Sequence, residues 1–175
     1  MLKRACDVIL CSAALLVLSP VLTLISILIA LIDGLPVLFA QERLGRHGKP
    51  FNILKFRTML AQPTSGAASV TQAGDPRITR LGFILRRSKL DELPQILNVL
   101  RGDMSIVGPR TEAPELAKLW GQHERQIILS VRPGMTDPAT LELIDEEDLL
   151  ARSADPNRRY IDDLLPLKQA HYIAY

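Results

Sequence analysis

The sequence predicts an α+β protein that is mostly helical, with a membrane-embedded N-terminal segment (1–35) and a small second domain (36–175). Three observations predict this division. Residues 5–32 form an apolar run that contains a single charged side chain, Asp7. Two short segments typical of strands follow between positions 37 and 59. Beyond position 77, apolar residues recur at helical spacing.

The apolar run predicts a membrane anchor. As one straight helix, its 28 residues would extend roughly 42 Å, more than the roughly 30 Å of a bilayer core. Ser19 and Pro20 lie near its middle, and the proline removes a backbone hydrogen bond, so we expect a break there. One interpretation is a kinked spanning helix. The other is a re-entrant hairpin of two half-helices, broken at Ser19-Pro20, that enters and leaves by the same membrane face.

Charge on both sides of the run favours the re-entrant hairpin. Positive residues mark the cytoplasmic flank of a membrane segment. Here they occur on both flanks: Lys3 and Arg4 before the run, and Arg43, Arg46, Lys49, Lys55 and Arg57 after it. The length of the run and the lack of a small-x-small site after it disfavour a cleaved signal peptide.

The second domain has a strongly uneven charge. Residues 36–110 carry 12 Lys and Arg against 5 Asp and Glu, whereas residues 111–175 carry 7 against 12. A basic segment beside a membrane anchor predicts anionic partners such as lipid headgroups, phosphates or nucleotides. With 5% aromatic residues and no basic-aromatic pattern, nucleic acid is disfavoured. The two cysteines, Cys6 and Cys11, both lie in the apolar run, which excludes a disulfide scaffold.

Further elements follow in order along the chain. Residues 37–42 and 51–59 predict a β-hairpin with its turn at 45–50. Lys55 and Arg57 would share a face of the second strand if it is regular, either as a site or as a solvated surface. The small, polar stretch 61–76 predicts a loop that is mobile or acts as a lid. Helices are expected at 77–87, 93–100, 114–130, 142–152 and 160–175, with glycine-bearing loops at 101–110 and 131–138.

The dipeptide Asp91-Glu92 lies at the predicted start of a helix, among several arginines. Neighbouring side chains on a helix point roughly 100° apart, which favours a division of labour between the two carboxylates. An aspartate can attack phosphorus, while its neighbour holds a metal or accepts a proton. Mg²⁺ and arginines would reduce the repulsion between the anions. Taken alone, however, the pair is more typical of acidic residues that complement a helix dipole than of catalytic groups.

Three strings together resemble the bacterial sugar transferase family, the small monotopic phosphoglycosyl transferases. They are KFRTM at 55–59, LRRSKLDELPQILNVLRGDMSIVGPR at 85–110 and VRPGMT at 131–136. The resemblance extends over nearly the whole chain. Two positions depart from the family pattern: Thr111, where many members have proline, and Asp137, where many have glycine.

This resemblance implies transfer of a phosphosugar from a UDP-sugar to a polyprenyl (undecaprenyl) phosphate, with release of UMP, as the first membrane step of bacterial glycan assembly. It implies a ping-pong reaction through a phosphosugar intermediate on Asp91, with Mg²⁺ as cofactor. Glu92 is expected to bind the metal or to act in acid–base catalysis. It also implies a re-entrant anchor broken at Ser19-Pro20. The expected phosphate-binding residues are Lys55, Arg57, Arg86, Arg110 and Arg132.

The expected location is the bacterial inner membrane, with the catalytic domain on the cytoplasmic face and with amphipathic helices at the interface. The phospholipid membrane is an expected partner. A second copy of the chain or downstream glycosyltransferases are further candidate partners. Two alternative functions stay open. One is a non-catalytic membrane adaptor that binds anionic lipid, and the other is a hydrolase of nucleotide-sugars that acts through an aspartyl phosphate.

Overall fold

The computed structural model describes residues 2–60, 75–137 and 155–175, together with positions 139, 143, 149, 150 and 153. The loop predicted at 61–76 lies outside these residues up to position 74. The acidic helix predicted at 142–152 lies outside them except for positions 143, 149 and 150.

The predicted β-hairpin is confirmed. Strand β1 (Leu38–Leu44) pairs antiparallel with β2 (Pro50–Phe56), and a short 3₁₀ turn (Arg46–Gly48) connects them. Strand β2 ends three residues earlier than predicted, because the chain leaves the ladder and Met59 forms a bridge with Ile78 instead.

Short helices are the commonest elements in the rest of the described chain. They are α2 (Arg80–Arg87), α3 (Gln95–Arg101), α4 (Pro114–Ala117), α5 (Gln122–Ile128), α6 (Pro156–Arg159) and α7 (Leu165–Ala174), with a π-helical turn (Tyr160–Leu164) between the last two. The prediction of one helix over 114–130 is wrong, since α4 and α5 are separate. Gly121 has an extended backbone before α5, and Trp120 is buried in the core at this interruption.

The two predicted glycine-bearing loops contain a pair of strands that sequence patterns missed. Strand β3 (Ser105–Val107) runs parallel to β4 (Gly134–Thr136). The pairing needs Gly134 in β4 and Gly108 directly after β3, because the two backbones are in close contact there. A Cβ atom on Gly134 would lie 2.2 Å from the backbone nitrogen of Gly108, and a Cβ atom on Gly108 would lie 2.6 Å from the carbonyl oxygen of Arg132. These glycines therefore bring together the two loops of the family strings.

The apolar run forms one helix, α1 (Leu2–Ile32), with Pro20 inside it. Proline has no backbone N–H, so the carbonyl of Leu16 lacks its usual helical donor. The hydroxyl of Ser19 donates to that carbonyl at 2.9 Å and takes the place of the missing bond. Thr23 in turn donates its hydroxyl to the carbonyl of Ser19 at 2.8 Å. The structure thus has one continuous helix over the apolar run, and the division into two half-helices at Ser19-Pro20 stays a prediction.

Most of the surface of α1 is apolar and exposed. Its most apolar 18-residue window has a mean hydropathy of 2.8, and 11% of that window is buried. By length and composition, the helix could cross a membrane. Large apolar side chains that face outward include Ile9, Leu16, Val17, Leu24 and Leu31. Exposure on this scale distinguishes α1 from the buried core helix of a soluble protein.

One narrow stripe of α1 packs on the rest of the chain. Its buried residues, Asp7, Cys11, Ile25 and Ile29, recur at helical spacing. The first half of the helix packs with a cluster from β2, α3 and the loop after it: Ile53, Ile96, Val99 and Met104. The second half packs with Phe56 of β2 and Leu85 of α2. Strand β2 therefore contacts both halves of the helix.

Polar contacts secure the N-terminal end of α1 to β3. Asp7 is 6% exposed, and its carboxylate accepts hydrogen bonds from the hydroxyl of Ser105 at 2.8 Å and the backbone N–H of Ile106 at 3.2 Å. Lys3 donates to the hydroxyl of Ser105 at 2.6 Å and to the carbonyl of Val107 at 2.7 Å. A charge inside an apolar helix is thereby satisfied by the neighbouring strand.

The C-terminal end of α1 contacts the same domain. Thr79 donates its hydroxyl to the carboxylate of Asp33 at 2.9 Å, and Arg57 donates to the carbonyls of Asp33 and Gly34. Both ends of a helix about 46 Å long are thus held by the one small domain.

We expect Asp7→Ala to lower the free energy of unfolding by about 2 kcal/mol, because Ser105 and the N–H of Ile106 would lose their acceptor. Asp7→Asn, which keeps an acceptor oxygen, should cost less. The thermal midpoint of the purified full chain in detergent measures both. Ser12→Ala, on the exposed face of α1, is the control. Equal midpoints for Asp7→Ala and Ser12→Ala would contradict this role.

Candidate functional site

The two predicted carboxylates lie in a tight 3₁₀ turn (Leu90–Glu92) between α2 and α3. The residue before the turn, Lys89, has φ 57° and ψ 15°, a left-handed conformation that is rare for a residue with a side chain. Such a conformation costs about 1 kcal/mol and ends α2 abruptly. The turn then directs Asp91 into the interior, where it is 5% exposed.

Asp91 is a buried carboxylate with an unpaired oxygen. Its Oδ1 atom has no hydrogen-bond partner among the described residues. Burial raises the pKa of Asp91, and the positive charge of Lys55 partly opposes this rise. An oxygen that is buried, desolvated and not engaged by a donor is suited to attack an electrophile.

Glu92 has the opposite environment. Its Oε1 atom accepts hydrogen bonds from the ammonium of Lys55 at 2.7 Å and from the guanidinium of Arg110 at 3.1 Å. Burial alone would raise the pKa of Glu92, but the charges and hydrogen bonds of Arg110 and Lys55 outweigh it and lower the pKa to about 2. Glu92 is therefore ionised at neutral pH.

Three separate segments bring this cluster together. Lys55 comes from β2, and burial lowers its pKa while Glu92 opposes that change. Arg110 follows β3, at the close contact between Gly108 and Gly134. Burial alone would lower the pKa of Arg110, yet the negative charge of Glu92 raises it. Arg86, half-buried at the end of α2, adds a positive charge that acts on Asp91.

The structure brings together five of the predicted site residues: Lys55, Arg86, Asp91, Glu92 and Arg110. The other two lie elsewhere. Arg57 does not share the surroundings of Lys55, because the strand has ended and its guanidinium binds the carbonyls at the end of α1. Arg132 donates from Nε to the carbonyl of Gly102 at 2.8 Å and lines a cleft at the turn of the β1–β2 hairpin.

A buried polar layer beside the cluster was not predicted. The carboxylate of Glu112 accepts a hydrogen bond from the hydroxyl of Tyr160 at 2.9 Å and lies 3.8 Å from the guanidinium of Arg43. The charge of Glu112 also acts on Arg110. These residues are far apart in the sequence. The local sequence offered one sign of the layer, which is the charged residue Arg43 on a partly covered position of β1.

The carboxylates could contribute to a Mg²⁺ site. Mg²⁺ prefers oxygen ligands and is commonly held by one or two carboxylates together with substrate phosphates. The unpaired Oδ1 of Asp91 fits this preference. Within the described ranges, no group of three or more His, Cys, Asp or Glu side chains could hold a metal. Asp91 and Glu92 would thus need further oxygens from a substrate or from water.

Comparison with known proteins supports the resemblance. The sequence model of the family described as "Bacterial sugar transferase" matches residues 1–173. The UDP-glucose:undecaprenyl-phosphate glucose-1-phosphate transferase of Escherichia coli (strain K12) is 43% identical over 138 residues, which are 78% of this chain and 30% of the relative. The undecaprenyl-phosphate glucose phosphotransferase of Komagataeibacter xylinus is 43% identical over 86% of this chain and 30% of its own length.

The exopolysaccharide production protein PSS of Rhizobium leguminosarum bv. phaseoli is 45% identical over 152 residues, which are 80% of this chain and 73% of that protein. The chain therefore spans less than a third of the E. coli and K. xylinus relatives but most of the Rhizobium protein.

We expect the ionised Glu92 to stabilise the folded protein in a pH-dependent way. Since its folded pKa of about 2 lies below its ordinary value of 4.5, the stabilisation is complete above pH 4.5 and is lost as the pH falls toward 2. Glu92→Gln should lower the free energy of unfolding at pH 7 by about 2 kcal/mol.

Thermal midpoints of metal-free protein in detergent, measured from pH 7 downward, give the test. The difference between the native chain and Glu92→Gln should shrink below pH 4.5. A difference that stays constant through this range would contradict the assignment.

Proposed function

Because the chain belongs to the bacterial sugar transferase family, we propose that it transfers a sugar 1-phosphate from a UDP-sugar to undecaprenyl phosphate and releases UMP. The names of the E. coli and K. xylinus relatives support this reaction class. The observation that carries the proposal is the buried Oδ1 of Asp91, which has no partner among the described residues and lies next to a cation-bound Glu92.

In the first half of the proposed reaction, an oxygen of Asp91 attacks the phosphorus that bears the sugar. The bond between that phosphorus and the bridging oxygen of the UMP group breaks, and UMP leaves with the bond's electron pair. The product is an acyl phosphate, in which the carboxyl group of Asp91 is bonded to the sugar phosphate. Lys55, Arg86 and Arg110 surround the carboxylates and can stabilise the negative charge that the phosphoryl oxygens and the leaving phosphate carry.

In the second half, an oxygen of undecaprenyl phosphate attacks the same phosphorus. The bond to Asp91 breaks, its carboxylate is regenerated, and the lipid diphosphate sugar is released. This ping-pong order suits a site with one nucleophile, because the soluble donor and the lipid acceptor can contact the same cluster of cations in turn.

Glu92 has a supporting part in this proposal. Its carboxylate fixes Lys55 and Arg110 in place, so both cations are positioned before the substrate arrives. We include Mg²⁺ in the proposal, held by Asp91 and Glu92 together with substrate oxygens. When bound, it would supply positive charge that reduces the repulsion between the diphosphate and the carboxylates.

The contacts of α1 support a monotopic, re-entrant arrangement. A domain that holds both ends of α1 would lie on one side of the membrane if the helix is embedded between those ends. We therefore propose that the chain lies in the bacterial inner membrane with this domain on the cytoplasmic face, where UDP-sugars are available. A homo-oligomer and downstream glycosyltransferases as partners stay predictions.

We expect Asp91→Asn to abolish UMP release from a UDP-sugar, because the amide is a far poorer nucleophile than the carboxylate. UMP release by full-length protein with undecaprenyl phosphate and Mg²⁺ gives the measurement, across a panel of UDP-sugars. Asp162→Asn, an exposed substitution of the same kind, should keep the native rate. Turnover retained in a folded Asp91→Asn variant would refute the nucleophile.

We also expect a phosphosugar adduct on the peptide that contains Asp91 when the native enzyme is mixed with donor and no acceptor. Mass spectrometry of the digested protein detects the added mass. Donor consumption that is independent of the lipid and yields free sugar phosphate would favour the hydrolase. No Mg²⁺-dependent turnover of any donor would favour the adaptor.

Single cysteines placed at positions 2 and 36, in a chain with Cys6 and Cys11 replaced by serine, test the topology. In the re-entrant arrangement, a membrane-impermeant thiol reagent should label both positions in inside-out vesicles and neither position in right-side-out vesicles. Labelling of position 2 in the right-side-out vesicles would show that the helix spans the membrane.

A further inference from the structure

A cleft lies at the turn of the β1–β2 hairpin, away from the Asp91–Glu92 cluster, and we call it the hairpin cleft. It encloses about 360 Å³, and its polar lining consists of Arg46, His47 and Lys49 from the hairpin turn, Asp103 from the loop after α3, and Arg132 from the segment before β4. Apart from the histidine, three cationic side chains (Arg46, Lys49 and Arg132) therefore line the cleft with one carboxylate, that of Asp103. None of these cations belongs to the Asp91–Glu92 cluster.

The two arginines of the hairpin cleft are fixed by backbone carbonyls. Arg46 donates from Nε to the carbonyl of Ser130 at 2.8 Å, and Arg132 donates from Nε to the carbonyl of Gly102 at 2.8 Å. Within the described part of the chain, their terminal nitrogens make no other hydrogen bond, and the ammonium of Lys49 makes none. Fixed guanidinium groups with remaining donors are well suited to bind phosphate oxygens.

The hairpin cleft is separate from the reaction site. Lys49 directly precedes β2, and Lys55 lies near the end of that strand. Their separation of six residues corresponds to about 20 Å at the rise of an extended strand. A phosphate bound in the hairpin cleft would thus be too far from Asp91 to be the reacting group.

The hairpin cleft also lies next to the start of the membrane anchor. Arg4, in the first turn of α1, donates to the carbonyl of Leu100 at 3.0 Å, and its guanidinium lies 3.4 Å from where a Cβ atom on Gly102 would be. Gly102 is part of the cleft wall. The end of an embedded helix lies at headgroup depth, so this position brings the cleft close to lipid phosphates.

We propose that the hairpin cleft binds a phosphate ester at a site distinct from the reaction centre. A lipid headgroup and a free phosphate share this chemistry, and the adjacent first turn of α1 favours the headgroup of an anionic phospholipid. Arg57 holds the C-terminal end of α1, whereas the hairpin cleft lies beside its N-terminal end. A headgroup bound in the cleft would fix the orientation of the domain on the membrane at that N-terminal end. This proposal does not depend on the transfer reaction.

The test uses the full chain in a nonionic detergent and isothermal titration calorimetry. The probes are dihexanoyl phosphatidylglycerol, dihexanoyl phosphatidylcholine and inorganic phosphate, each below its micelle concentration where it has one. The cleft variant is Arg46→Gln with Lys49→Gln. The control variant, Lys118→Gln with Arg158→Gln, removes the same charge from exposed positions elsewhere. Thermal midpoints check that both variants fold.

We expect the native chain and the control variant to bind the phosphatidylglycerol, and the cleft variant to bind it about tenfold or more weakly. Phosphatidylcholine should bind far more weakly than phosphatidylglycerol. If inorganic phosphate binds with the same dependence on Arg46 and Lys49 and as tightly as the lipid, the site stands and its ligand is a free phosphate. Equal binding of phosphatidylglycerol by the cleft and control variants, or equal binding of the two lipids, would overturn the proposal.

Discussion

The attachment of α1 to the domain at both of its ends is the contact on which the rest of the structure depends. An apolar stripe supplies most of the contact, while Asp7 and Asp33 fix the two ends through hydrogen bonds. Asp7 interrupts an otherwise apolar helix, and its burial is tolerated because β3 provides donors to both carboxylate oxygens. Because β2 and β3 contact α1 and also position Lys55 and Arg110, α1 and the candidate site share one framework.

Within that framework, two neighbouring carboxylates are made chemically different. Lys55 and Arg110 bind Glu92 and lower its pKa, whereas burial raises the pKa of Asp91. Environments that push two pKa values apart assign different roles to groups of the same type. In the proposed reaction, the cations around the pair would compensate the charge of a donor diphosphate and then of a lipid phosphate. The hydrogen bonds of Lys55 and Arg110 to Glu92 would keep these two cations ordered between the two half-reactions.

Several basic side chains of the domain lie at three separate locations rather than on one surface. Lys55, Arg86 and Arg110 belong to the proposed reaction site, Arg57 holds the end of α1, and Arg46, Lys49 and Arg132 line the hairpin cleft. The hairpin cleft lies beside Arg4 at the start of α1, whereas Leu85 of α2, which leads to the Asp91–Glu92 turn, packs with the second half of α1. An excess of positive charge in a sequence thus predicts anionic partners in general, while the fold decides how many separate anions the chain can meet.

By itself, the sequence determined the features that depend on local pattern: the apolar helix with its proline, the β-hairpin, the helices around the Asp91-Glu92 dipeptide and the strings typical of the family. Only the tertiary structure decided the pairing of β3 with β4, the contact of Lys55 and Arg110 with Glu92, and the separate places of Arg57 and Arg132. The physical reason is range. Periodicity and turn propensity act over a few residues, whereas these pairings join segments 18 to 37 residues apart and depend on how closely backbones pack, as Gly108 and Gly134 do.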